Sequence, residues 1–142
     1  MQPRIPNKID HNFTELVRLY AEIWIPKFEL REKPLVFGVN QVRGWAHKGT
    51  IVIPTWLLRH KESEAYIQEY IIHELSHVKD VEIRGYSNHG PEFWEIFCKV
   101  CPPEWWHFEE RYKPREFKRA GMHLLDVFAK GKRPKDLTED DV

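Results

Sequence analysis

Cysteine is scarce in this chain of 142 residues: there are two, Cys98 and Cys101. Such a pair supplies neither the disulfide framework of a small secreted domain nor a four-cysteine zinc site. Three positions apart in a stretch of helical pattern, they are expected to pack as reduced thiols, with a mixed site that adds His107 or His123 as the metal-binding alternative. Net charge is absent too, because Lys+Arg and Asp+Glu balance at 22 each, which removes the strongly basic signature of a dedicated nucleic-acid binder. No run of about 18 apolar residues provides a transmembrane helix. The opening Met1-Gln2-Pro3-Arg4-Ile5-Pro6 has no apolar stretch of the signal-peptide kind, so no membrane association and a cytoplasmic location are expected. What the chain does have is 42% hydrophobic and 31% charged residues, the composition of a globular protein long enough to bury one core. One domain is expected over residues 1–130, with the charged stretch 131–142, almost devoid of apolar residues, as a flexible tail.

Periodicity organises the domain. Asp10 and Asn12 are candidate caps for a helical run from Phe13 to Leu30, in which Phe13, Leu16, Val17, Tyr20 and Trp24 share a face and Pro26 ends or bends the helix. Leu35 to Val39 and Thr50 to Ile53 are short apolar runs punctuated by Gly38, Gly44 and Gly49, which predicts strands of a small antiparallel sheet. From Ser63, the residues Ile67, Ile71, Leu75 and Val78 form a helical stripe that fades at Gly85, a C-terminal cap. A loop leads to Pro91, the first residue of a helix stopped by Pro102 and Pro103, and the aromatic-rich stretch from Glu104 to Lys130 reads as one or two more helices. The fold class is therefore α+β, a small antiparallel sheet packed on a helix at about 63–84 with a supporting helix at about 91–101.

The chemistry sits on that helix. Ile72-His73-Glu74-Leu75-Ser76-His77 contains H-E-x-x-H. At about 100° per residue His77 lies about 40° from His73 and one turn further on, so both imidazoles reach one metal ion. The apolar stripe centres about 120–160° from His73, which predicts histidines on the side away from the core. Glu74 falls about 60° from His77, where a carboxylate touches a water on the metal without ligating the ion itself. A catalytic zinc takes three protein ligands and keeps one position open. The metzincin spacing requires Gly at 80 and His at 83, where the chain has Asp80 and Ile83. His89 is the better candidate, brought back by a reversal after Gly85, and Glu92 or Glu95 is the carboxylate alternative.

His73-Glu74-Leu75-Ser76-His77 followed by Asn88-His89-Gly90-Pro91-Glu92-Phe93-Trp94 resembles the YgjP-like and SprT-like zinc metallopeptidases, which include the Spartan and Wss-type proteases. Upstream, Arg43-Gly44-Trp45-Ala46-His47-Lys48-Gly49 is similar to the YgjP-like strand segment, with the Trp–Gly order inverted and no cysteine. The resemblance spans about residues 43–103. It implies a compact zincin-like domain, Zn2+ as cofactor, His73, His77 and His89 as metal ligands, and Glu74 as general base in the hydrolysis of peptide bonds by a zinc-activated water. It also implies that Thr50 to Ile53 is an edge strand that pairs with a protein or peptide substrate. Tyr66 and Tyr70 share the histidine side of the wheel and are expected either to wall the cleft or to pack under a loop. Tyr86, His107 and Tyr112 are candidates for a further oxyanion donor. The basic cluster Arg111, Lys113, Arg115, Lys118 and Arg119, opposed only by Glu116, is read as a solvated face, so no strong nucleic-acid binding is expected. The rival reading is a metal-stabilised module of the same fold that holds a protein or DNA partner and cleaves nothing; the intact Glu74 favours the enzyme.

Overall fold

Asp10 starts the first helix in the way its side chain allows. Its Oδ1 accepts from the Phe13 amide at 2.8 Å, satisfying one of the helix's first unpaired N–H groups. Helix α1, His11–Trp24, ends just before Pro26, and a short 3-10 turn, Ile25–Phe28, carries the chain off it. These elements belong to a computed structural model that describes residues 3–111. Three strands follow, β1 Leu35–Val39, β2 Trp45–His47 and β3 Thr50–Pro54, then helix α2, Ser63–Arg84, helix α3, Pro91–Val100, and a 3-10 segment, Pro103–Arg111. The tail 131–142, most of the stretch from Glu104 to Lys130, His123, Tyr112 and the basic cluster lie outside the described residues or their described side chains.

The fold is α+β, but the sheet is mixed, not antiparallel as expected. Its order is β1-β3-β2. Lys48 and Gly49, with φ of 47° and 75°, make the tight two-residue hairpin that sets β2 antiparallel to β3. Strand β3 then inserts between its two predecessors and runs parallel to β1, with Leu35 opposite Thr50 and Val39 opposite Pro54. The expected edge position of Thr50 to Ile53 is corrected by the same finding: β3 is central and buried along its length. Its run of Ile51, Val52 and Ile53 is fully buried, each side chain contributing about 1.5–3 kcal/mol relative to exposure. Pro54 sits at the last position of the strand and not on an edge.

Helix α1 packs on β1, and α2 packs on α1, β3 and α3. The core between them contains Val17, Ala21, Ile53, Ile67, Ile71 and Phe97. The expectation that the histidine side of α2 faces away from the core is overturned. From Tyr70 to Ser76 every residue of α2 is buried, and His73 is 1% exposed. The reason lies in α3 and the 3-10 segment, which pack over the face that the wheel leaves polar. Tyr66 and Tyr70 are buried and do not wall an open cleft: Tyr66 stacks on Phe108 of the 3-10 segment at 4.5 Å, and the Tyr70 hydroxyl accepts from the Gly44 amide, in the turn before β2, at 2.8 Å.

Candidate metal centre

Helix α2 carries His73 and His77 one turn apart. Gly85 closes the helix in the left-handed conformation, with φ of 85° and its amide on the Val81 carbonyl at 2.7 Å. The chain can then reverse, and Pro91 opens α3 four residues after Ser87. The reversal returns His89 to the two helix histidines. The Trp94 indole donates to the His89 carbonyl at 2.9 Å, and Asn88 Oδ1 accepts from the Gly90 amide and from Arg84 at 3.0 Å each, which pins the loop on both sides.

The result is a convergence of three Nε2 atoms. His89 Nε2 lies 3.1 Å from His77 Nε2 and 3.2 Å from His73 Nε2. Among the described residues, this is the group of three or more ligating side chains that could hold a metal ion. One proton bridges only two of three such nitrogens, whereas a cation takes a lone pair from each. Nitrogens bound to one tetrahedral zinc stand about 3.3 Å apart, so the donor set fits.

Hydrogen bonds behind the rings decide which nitrogen is presented. Ser87 Oγ lies 2.7 Å from His77 Nδ1 and 2.7 Å from Asp80 Oδ2. Asp80, fully buried, accepts from Arg84 through both oxygens at 2.6 Å. A carboxylate only accepts, so Ser87 gives its proton to Asp80 and its lone pair to His77 Nδ1–H, leaving a lone pair on Nε2. The Asp80 contact in turn raises the Arg84 pKa. Burial first, then the imidazoles of His73 and His89, push the His77 pKa down to about 2, against a smaller upward pull from Asp80. His77 is therefore neutral at pH 7 and available as a donor. His73 Nδ1 faces Glu109 Oε1 at 2.9 Å. Phe93 floors the group, with its ring 4.9, 4.3 and 5.1 Å from those of His73, His77 and His89.

Glu74 is 3% exposed, with Oε1 3.9 Å from His73 Nε2, beside the convergence and outside the three-histidine group. Glu92 points instead to Arg84, 3.3 Å away, and neither it nor Glu95 joins the group. Tyr86 packs on Arg84, its ring 4.6 Å from the guanidinium, and the largely exposed His107 faces Glu62 at 3.8 Å. Neither is brought to the histidines as an oxyanion donor. The cysteines form no disulfide, and Cys101 is buried in the core as expected.

Four residues of the site were missed by sequence reasoning: Asp80, Ser87, Phe93 and Glu109. Asp80 carried a readable signal, since it follows His77 by three residues and so shares its face. Glu109 carried none, being 36 residues from its histidine in a segment without clear periodicity. No protein-family model, curated protein or solved structure matches this chain.

Proposed function

We propose that the chain is a zinc-dependent metallopeptidase of the zincin-like, SprT-like and YgjP-like kind, acting on flexible polypeptide. The observation that carries this reading is the convergence of three imidazole nitrogens beside a buried carboxylate that is not one of them. Three nitrogen donors favour zinc over magnesium or calcium, which take oxygen ligands. His73, His77 and His89 would hold the ion. When bound, it supplies Lewis acidity to the scissile carbonyl and lowers the pKa of water. Glu74 accepts the proton of the attacking water and delivers it to the leaving amine nitrogen. Phe93 keeps bulk water from the inner side of the histidines.

Strand β2 supports the substrate class. It lies at one end of the sheet, and its approach is tied to α2 by the Gly44–Tyr70 hydrogen bond, one helical turn before Glu74. An edge strand there binds extended peptide through backbone hydrogen bonds and reads sequence weakly. The test is Glu74→Gln, which keeps size and removes the base. With casein as substrate the variant should retain zinc and lose hydrolysis by about 10²–10⁴-fold. Undiminished cleavage by Glu74→Gln would refute the mechanism.

A further inference from the structure

We infer that Glu109 is a positioning residue of the metal centre, which fixes His73 as the Nδ1–H tautomer so that its Nε2 lone pair faces the other two histidines. The inference rests on the metal reading above for its purpose, and on contacts within the chain for its content. Glu109 Oε1 lies 2.9 Å from His73 Nδ1, and both side chains are within 1% of complete burial. A carboxylate oxygen at that distance accepts, so the proton belongs on Nδ1. Glu109 meets the ring from the side opposite Nε2 and is therefore no fourth ligand.

The placement is built and not incidental. The 3-10 segment is fastened on both sides of Trp106: Phe108 stacks on Tyr66, and the Trp105 ring meets that of Trp24 edge-on at 5.7 Å. The Trp106 indole donates to the Cys101 carbonyl at 3.1 Å. Apolar packing alone would be served by leucine, because burying a carboxylate costs several kcal/mol unless hydrogen bonds offset it. His77 receives the same tautomer by a different route, through Ser87 and Asp80. Two unrelated devices thus present Nε2 from both histidines of the helix.

The experiment uses the full chain. In metal-free protein near pH 8, imidazole 15N spectra should show His73 protonated at Nδ1 in wild type and in Glu109→Gln, whose amide oxygen still accepts. In Glu109→Ala the two tautomers should mix. Competition with a chelator should then show zinc affinity lowered about 10–100-fold in Glu109→Ala. A purely packing role would lower the thermal midpoint and leave affinity within twofold, which would overturn the inference, as would a wild-type His73 protonated at Nε2. The wild-type spectrum decides even if Glu109→Ala fails to fold. Wild type that takes up no zinc but holds His73 as Nδ1–H would end the metallopeptidase reading and leave the assignment of Glu109 standing.

Discussion

At His77 the ring is caught between the Ser87 hydroxyl on one nitrogen and the His89 imidazole on the other. A proton added here would put charge on a half-buried ring between two other imidazoles, which is why its pKa falls to about 2. The linkage to stability has a definite sign. In the unfolded chain a histidine takes up its proton near pH 6.5, whereas folded His77 refuses it until about 2. The contribution of His77 to the stability of the metal-free protein is therefore fully present above pH 6.5 and is lost as the pH drops toward the folded value, by up to about 1.4 kcal/mol per pH unit. Urea unfolding at intervals from pH 7.5 to 5, compared between wild type and His77→Gln, measures it. The variant should show the shallower slope, and equal slopes would contradict the assignment.

The element seated most tightly on α2 from the sheet side is the short β2 with the turn before it, through the Gly44–Tyr70 contact. Gly44 has no room for a side chain: a Cβ would stand 2.3 Å from the Val52 carbonyl oxygen and 2.5 Å from the Tyr70 ring. Both neighbours are held, one in the central strand and one in the buried face of α2, so the strand itself must give. Gly44→Ala should cost about 1–3 kcal/mol, read as a lower urea midpoint with unchanged m, and should reduce casein cleavage more than zinc content. An unchanged midpoint would mean that β2 is not seated there. The helices were legible because their signals are local: Asp10 caps α1, Gly85 ends α2, and Pro91 opens α3. The sheet was not, because strands adjacent in sequence need not pair, and nothing in Leu35 to Val39 records that β3 will insert beside it. The buried histidine face escaped for a related reason. A helical wheel gives the polar side of α2 but not the aromatic segments that later pack over it.

Across the whole molecule, residues far apart in sequence are brought to one centre: His73 and His77 from α2, His89 from the loop, Phe93 from α3 and Glu109 from the last described segment. The three histidines and Glu74 were readable from the H-E-x-x-H spacing and the downstream Asn88-His89-Gly90 turn. Their support was not, since it depends on the completed tertiary fold. No helix among the described residues is long and apolar enough to cross a membrane. The central claim is that these three imidazoles hold one zinc. Zinc per chain, measured by native mass spectrometry and elemental analysis on folded wild type, His89→Ala and Glu92→Ala, tests it most directly. The account predicts one zinc in wild type and in Glu92→Ala and its loss from His89→Ala; folded wild type without zinc, or full occupancy in His89→Ala, would contradict it.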